Sequence, residues 1–212
     1  HFDKAPMLEK ELIEKGKTEL LQTVRSIAPM GVTFIYIRQP EPLGLGHAVL
    51  CAQPVVGDEP FAVMLADDLI DAQQSAIGQL IEARKQLGGG NILAVQDVPK
   101  ADTKKYGIVG VEDGLATTSL VHEMVEKPDP DHAPSTLAVI GRYVLEPEIF
   151  ERLKKVQKGV GGEIQLTDAI AGQLNLNTTY SHRFDGIRYD CGSKQGFLDA
   201  TVRFARKAGY SI

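Results

Sequence analysis

Cysteine and long apolar runs are both scarce in this sequence. Its 212 residues include two cysteines, Cys51 and Cys191, which are too few for a disulfide framework or a cysteine-rich zinc site. We therefore predict reduced thiols and a cytoplasmic location. The longest apolar runs, such as residues 61–66, fall far short of the ~20 residues that span a bilayer. We expect no membrane partner.

An excess of basic charge is also missing. The 28 acidic residues outnumber the 23 basic ones, the net charge is −5, and the two signs alternate along the chain. Because no basic stretch could neutralise a phosphate backbone, we expect no nucleic-acid partner. The five histidines lack metal-ligand spacing, and no Gly-x-Ser-x-Gly elbow for acyl transfer is present. With 43% hydrophobic residues, the chain can still bury a sizeable core.

What the sequence does contain is an alternation of helical and strand-like segments. The spacing predicts a helix over residues 8–27 and a buried strand over 32–37. Continuous apolar strands that alternate with helices favour an α/β fold with a mixed, mostly parallel sheet covered on both faces. Further strands are predicted at 61–65, 91–95, 107–111, 120–125, 137–144, 180–184 and 186–190, and further helices at 47–52, 74–87, 146–157, 165–174 and 194–208.

Two carboxylates follow predicted strands. Asp67 comes directly after an apolar strand, and Asp190 ends a short one. In open α/β sheets ligands gather beyond the strand ends, where two carboxylates can hold a hard cation such as Mg²⁺. An alternative interpretation is that Asp67 or Asp68 caps the next helix or forms a turn.

Three loop segments carry other candidates for substrate binding. Residues 39–47 include glycines that would let a base or a phosphate approach the backbone N–H groups. Glu126 and Lys127 would provide an acceptor for sugar hydroxyls beside a cation for a phosphate, or simply an exposed ion pair at a turn. In residues 159–168, Thr167 and Asp168 are candidates for helix capping or, with Glu163 and Gln165, for sugar contacts.

Eight motifs, read in chain order, carry a family resemblance. Together they closely resemble bacterial UTP–glucose-1-phosphate uridylyltransferases over essentially the whole chain. The motifs are Gln39, residues 44–48 (GLGHA), Asp67, residues 106–107 (YG), 125–128 (VEKP), 141–143 (GRY), 162–170 (GEIQLTDAI) and 190–194 (DCGSK).

The resemblance implies a fold, a reaction and a reaction site. The fold would be a Rossmann-like (GT-A-like) nucleotidyltransferase domain, and the reaction that of UTP with glucose 1-phosphate to give UDP-glucose and pyrophosphate, with Mg²⁺. Asp67 and Asp190 match the metal carboxylates, and Lys127 matches the lysine on the phosphate of glucose 1-phosphate. Gln39 and Gly44 match the residues that read the uracil ring. Related enzymes also lead us to expect a homo-oligomer.

The same resemblance implies a sugar site in a β-rich insert. Residues 106–145 contain strand-like runs without helices between them, which predicts this insert within a single domain over residues 1–212. Gly107, Glu126 and Gly141 match the family's sugar site, and Gln165 and Lys194 match further substrate-binding residues.

One family feature is absent from the sequence. Members open with a strand and a glycine-rich loop, Gly-x-Gly-Thr-Arg, that wraps the triphosphate, and we expect the domain over residues 1–212 to lack both. One alternative function that follows is a non-catalytic fragment that binds sugar nucleotides. A separate alternative is a related transferase that uses dTTP or another sugar phosphate.

Overall fold

A break at Gly16 divides the N-terminal part of the chain into two helices. The computed structural model describes residues 3–212, which form one unit up to Arg38 and a second from Gln39 to Ile212. The first unit contains α1 (Pro6–Glu14) and α2 (Thr18–Ser26). The predicted single helix over 8–27 is wrong, because Gly16 adopts a left-handed conformation with φ +62° and ends the first helix.

The predicted strand over residues 32–37 is also wrong. These residues adopt neither helix nor strand, and Ile35 and Tyr36 are largely exposed. A β-branched run becomes a strand only where a neighbouring strand accepts its backbone hydrogen bonds, and none of the ladders within residues 3–212 includes this segment.

The second unit contains the other helices and all eight strands of the described chain, and the strands predicted from residue 61 onward are confirmed. None of its helices, nor any other within residues 3–212, is long and apolar enough to cross a membrane. The helices are α3 (Leu45–Cys51), α4 (Gln53–Val56), α5 (Ala76–Leu87), α6 (Ile149–Leu153), α7 (Leu166–Ala171) and α8 (Lys194–Lys207), with short 3₁₀ turns at Lys100–Lys105 and Val160–Gly162. The strands are β1 (Phe61–Met64), β2 (Asp68–Asp71), β3 (Asn91–Asp97), β4 (Gly107–Val111), β5 (Thr118–Glu126), β6 (Leu137–Leu145), β7 (Thr179–Arg183) and β8 (Ile187–Asp190).

Six of these strands form one mixed sheet in the order β1-β6-β3-β7-β5-β4, and β2 pairs with β8 in a separate two-stranded ladder. The expectation of a mostly parallel sheet is wrong for the described strands, because β3–β7 is the one parallel pair among them. The physical reason lies between β4 and β6, where loops replace the crossover helices that parallel neighbours require. Strands β4, β5 and β6 are all part of the six-stranded sheet.

The central strand β3 shows how the sheet is covered on both faces. Successive side chains point to opposite faces, so Leu93 and Val95 pack in the cluster formed with α3, α6 and α7. Ile92 and Ala94 pack on the other face, against Leu80 of α5. This burial on both faces explains why β3 reads as a continuous apolar run, as expected for a three-layer fold.

Candidate functional site

A cavity of about 370 Å³ lies where β2, β4, β5, β6 and β8 meet the start of α7. It brings together seven of the ten site residues expected from the sequence, although their positions span more than a hundred residues of chain. The seven are Asp67, Gly107, Glu126, Lys127, Gly141, Gln165 and Asp190.

Asp67 and Asp190 converge on one point of this cavity. The N–H of Cys191 donates to the carbonyl of Asp67 at 2.7 Å, which ties the two loops together. A Cβ placed on Gly192 would lie 3.3 Å from Asp67 Oδ2 and 3.1 Å from Asp190 Oδ1, so the two carboxylates flank the same small space. The next helix, α5, is capped by Ser75, so neither Asp67 nor Asp68 caps it. The other half of that alternative is confirmed, because Asp67 lies in a turn that the Asp68 N–H closes on the carbonyl of Leu65 at 3.4 Å.

Glu126 and Lys127 sit at the end of β5 and face the cavity. Lys127 Nζ lies 3.5 Å from Glu126 Oε1, so the ion pair of the alternative interpretation does form. The Lys127 side chain is 43% exposed, but that of Glu126 is only 10% exposed, so the carboxylate belongs to the cavity wall. Lys127 has a φ of +47°, a left-handed conformation that costs a non-glycine residue on the order of 1–3 kcal/mol. Its N–H donates to the carbonyl of Tyr106 at 2.9 Å, which holds the strained turn in place. Such strain is typical of functional sites.

Gly107 and Gly141 leave room that a side chain would fill. A Cβ on Gly107 would lie 3.0 Å from Thr167 Oγ1 and 3.2 Å from Glu126 Oε2. A Cβ on Gly141 would lie 2.6 Å from the Asp68 carboxylate, closer than real contacts allow. A side chain at either position would therefore crowd polar oxygens of the cavity wall.

The start of α7 forms another wall. Gln165 is the residue that precedes the helix; its side chain is nearly buried and its Nε2 donates to Glu163 Oε2 at 3.2 Å. Thr167 lines the cavity, and neither it nor Asp168 caps the helix, which has no side-chain cap. Burial raises the pKa of the Asp168 carboxyl above its ordinary value.

Three expected site residues do not line the cavity. Gln39 Nε2 donates to the carbonyl of Gly44 at 3.1 Å and lies 3.0 Å from His47 Nδ1. Gly44 has a φ of +98°, and a Cβ there would come within 2.7 Å of Glu163 Cβ, so only glycine fits this approach. Lys194 begins α8, one residue after the Ser193 cap.

Several cavity residues were missed by sequence reasoning. Asp68 and Arg188 form a buried ion pair in the wall, and Lys105, Tyr106 and Tyr143 also line the cavity. Burial raises the pKa of the Tyr143 phenol well above its ordinary range, which keeps it neutral. A polar residue alternating with apolar ones, as in Ile187-Arg188-Tyr189, was the available signal for Arg188, but its partner follows only from the β2–β8 register.

Comparison with known proteins identifies the family of this chain. The model of the Nucleotidyl transferase family matches residues 8–207. The UTP--glucose-1-phosphate uridylyltransferase of Bacillus subtilis (strain 168) is 48% identical over 206 residues, which cover 97% of this chain and 70% of that protein. The UTP--glucose-1-phosphate uridylyltransferase 2 of Staphylococcus saprophyticus is 46% identical, over 98% of this chain and 71% of that protein.

Solved structures agree as well. A UTP-bound UGPase from Acinetobacter baumannii superposes with a TM-score of 0.86 at 38% identity, covering 97% of this chain and 72% of its own. A UDP-glucose pyrophosphorylase complexed with UDP-glucose gives a TM-score of 0.83 at 37% identity, with coverage of 91% and 73%. The chain therefore belongs to the nucleotidyl transferase family and, within it, to the UTP–glucose-1-phosphate uridylyltransferases.

Proposed function

We propose that this chain transfers a uridylyl group from UTP to glucose 1-phosphate, giving UDP-glucose and pyrophosphate. The observation that carries the proposal is the single cavity that holds Asp67, Asp190, Glu126 and Lys127. It occurs in a chain that is 48% identical, over 97% of its length, to a protein named for this reaction.

The reaction suits a site that positions charges and holds no nucleophile of its own. A phosphate oxygen of glucose 1-phosphate attacks the α-phosphorus of UTP in line, the new P–O bond forms, and the bond to pyrophosphate breaks. The attacking oxygen comes from the substrate, so the protein has to align the two phosphates and balance their negative charge. Lys127, held in its strained turn, would meet the phosphate of glucose 1-phosphate.

Asp67 and Asp190 would hold a divalent cation, which we propose is Mg²⁺. Their positions suit this role, because Asp67 Oδ2 and Asp190 Oδ1 lie 3.3 and 3.1 Å from the same point beside Gly192, so the two carboxylates are close together. The Gly192 N–H donates to Asp190 Oδ1 at 3.1 Å, which orients this carboxylate. Within residues 3–212 no group of three or more potential ligands is present. Two carboxylates suit Mg²⁺, which usually binds one or two of them together with substrate phosphates and water. When bound, the cation would balance charge that develops on the transferred phosphate.

The sugar would bind in the cavity beside these charged groups. Gly107 and Gly141 leave space beside Glu126, whose carboxylate would accept hydrogen bonds from glucose hydroxyls, and Gln165 would provide a further polar contact. We assign the uracil to the loop of Gln39 and Gly44.

Lys194 would meet a phosphate oxygen from the first turn of α8. The single domain over residues 1–212 with its insert at 106–145, the homo-oligomer and the cytoplasmic location stay predictions. Residues 1 and 2 of that predicted domain lie outside the described part of the chain.

The test is product formation by the purified chain. With UTP, glucose 1-phosphate and Mg²⁺, we expect UDP-glucose by chromatography and an equal amount of pyrophosphate in a coupled assay. Lys127→Ala should raise KM for glucose 1-phosphate at least tenfold while changing KM for UTP much less. The matched control is Lys104→Ala, since Lys104 lies in the neighbouring 3₁₀ turn and does not line the cavity.

Two outcomes would favour the alternative functions. Binding of UDP-glucose in a calorimeter without any pyrophosphate release would overturn transfer in favour of a binding-only protein. Equal turnover with dTTP and UTP in competition would overturn the uridylyl assignment. The base pocket then fails to reject one methyl group, a discrimination worth only about 1–3 kcal/mol.

A further inference from the structure

We propose that the buried ion pair between Asp68 and Arg188 positions Asp67 and Asp190, so that their carboxylates converge on one cation. The proposal rests on the function assigned above and names two residues that touch neither the cation nor the reacting atoms in that scheme. Both side chains lie in the cavity wall with about a tenth of their surface exposed, 8% for Asp68 and 10% for Arg188.

The Asp68 side chain joins two parts of the cavity wall. Its Oδ1 accepts from Arg188 Nε, and its Oδ2 accepts the N–H of Gly141 at 2.8 Å. Asp68 also opens β2 opposite Asp190 of β8, so the ion pair lies beside the first rung of that ladder. A shift of this side chain would move both the sugar-side glycine and the neighbouring carboxylates.

The backbone on either side of Asp67 is held by Arg142. Its guanidinium donates to the carbonyl of Leu65 at 2.9 Å and also to the carbonyl of Asp68. Asp67 itself accepts the Cys191 N–H through its carbonyl, so its backbone is fixed from three directions. No hydrogen bond within residues 3–212 holds the Asp67 side chain, which lines the cavity near the charge of Arg142.

Arg188 connects this fixed segment to the other half of the site. Its Nη2 lies 3.9 Å from Asp190 Oδ2, and its Nη1 donates to Tyr106 Oη at 3.3 Å. The guanidinium also lies 5.3 Å from the centre of the Tyr106 ring. The Tyr106 carbonyl in turn accepts the N–H of Lys127, so one guanidinium contacts residues that hold the metal, sugar and phosphate groups of the site.

A positioning role explains why an ion pair is buried here. Desolvation of two charges often costs as much as their attraction returns, so a buried pair is weak evidence for stability alone. The planar guanidinium, by contrast, supplies several donors in a fixed geometry that an apolar side chain cannot imitate. The burial of this ion pair therefore fits a role in positioning the side chains that surround the cavity.

The experiment compares Arg188→Met with Arg203→Met, because Arg203 forms the equivalent ion pair with Asp71 at the other end of the same ladder. Mn²⁺ is the probe, measured by its electron paramagnetic resonance signal with and without UDP-glucose. We expect Arg188→Met to weaken Mn²⁺ binding 10–100-fold, as loss of the partners of metal ligands typically does. Arg203→Met should leave it within twofold.

Two further variants separate positioning from folding. Asp68→Asn has the same shape and should weaken Mn²⁺ binding, and the double variant Asp68→Asn/Arg188→Met should be little worse than the worse single variant, because the pair acts as a unit. Arg188→Lys should not rescue, since an ammonium cannot reach Asp68 and Tyr106 together. Equal melting temperatures with unequal Mn²⁺ affinities would exclude a merely structural role.

A crystal structure of Asp68→Asn or Arg188→Met gives a readout that does not depend on activity. We expect the Asp67 and Asp190 carboxylates to move apart; carboxylates that still flank Gly192, with Mn²⁺ affinity equal to that of Arg203→Met, would overturn the proposal. If the unchanged chain forms no UDP-glucose and does not bind it, the proposed function fails instead, while the carboxylate separation in the variants still decides the positioning role.

Discussion

The two ends of the β2–β8 ladder hold similar ion pairs in different surroundings. Asp68 opens β2 and pairs with Arg188, and both side chains are about nine-tenths buried. Asp71 ends β2 and pairs with Arg203 and Lys207 of α8, whose side chains are about half exposed. The two aspartates are buried to nearly the same degree, with 8% and 7% of their side-chain surface exposed. The two ends therefore differ in how far their basic side chains are exposed.

This comparison shows that the same residue types serve different purposes three positions apart. At the far end the two basic side chains remain in contact with solvent and connect α8 to the strand. Solvent screens this interaction. At the site end the guanidinium is taken out of water and contacts several groups of the cavity wall, so its directional hydrogen bonds fix geometry. We therefore expect substitutions at the site end to affect function and those at the far end to affect stability.

The largest effect separates the two ends by turnover. Asp67→Asn or Asp190→Asn should lower turnover on the order of 10²–10³-fold, the usual cost of removing one charge-stabilising group from a site. Asp71→Asn, at the far end, should leave turnover within about twofold. Steady-state kinetics with UTP and glucose 1-phosphate measure both, and equal losses at the two ends would refute the division of roles.

A smaller effect tests the space between the site-end carboxylates. The added methyl group of Gly192→Ala would stand 3.1 Å from Asp190 Oδ1 and 3.3 Å from Asp67 Oδ2. We expect Mn²⁺ binding to weaken about 10-fold, the low end of what displaced metal surroundings cost. Gly114→Ala is the control, because a Cβ there meets open space. Unchanged Mn²⁺ affinity in Gly192→Ala would show that these two oxygens do not bind the cation together.

The ion pairs of Asp71 at the far end should make the stability of the fold depend on pH. Hydrogen bonds from Lys207 and then Arg203 hold the pKa of Asp71 below its ordinary 3.8. A carboxyl with a lowered pKa stabilises the fold above pH 3.8, and this stabilisation is lost as the pH falls through the lowered pKa. Asp71→Asn should therefore be less stable than the unchanged chain at pH 7, and the gap in the free energy of unfolding should be smaller at pH 3. Urea unfolding at both pH values measures it; a constant gap would contradict the assignment.

The smallest effect concerns one hydrogen bond at the site end. Tyr106→Phe removes the acceptor of the 3.3 Å bond from Arg188 but keeps the ring beneath the guanidinium. A single hydrogen bond contributes roughly 0.5–1.5 kcal/mol, so we expect turnover to fall less than about 10-fold. Tyr189→Phe, on the same strand as Arg188 but not lining the cavity, provides the comparison and should change turnover by less than twofold. A loss as large as that of Arg188→Met would mean that Tyr106 does more than support the guanidinium.

Sequence reasoning predicted strands well where apolar runs are continuous. Residues 107–111 form β4 as expected, and 137–144 lie within β6. It failed at β2, because Asp68-Leu-Ile-Asp71 has too few apolar residues to indicate a strand. It also failed at residues 32–37, where a strong strand pattern has no neighbouring strand among the described residues. A strand depends on its partner as much as on its own side chains.

The candidate site was also predictable only in part. Asp67 and Asp190 stand out because they follow apolar runs, and Glu126 and Lys127 because they end one. For Arg188 the alternation with apolar neighbours is a weaker signal, since an isolated arginine in a short strand usually faces solvent. Its burial against Asp68 follows from a pairing between segments 120 residues apart in the chain.

The sequence by itself determined most of the helices and strands from residue 61 onward and the chemical groups that the chain offers, because apolar periodicity and the residues at strand ends are local properties. Its motifs also carried the family resemblance. Only the tertiary structure decided which groups meet: the register that sets Asp68 beside Asp190, the burial of Arg188, and the mixed order of the sheet. These depend on contacts between distant segments, which hydrogen-bond pairing and desolvation select only once the chain has folded.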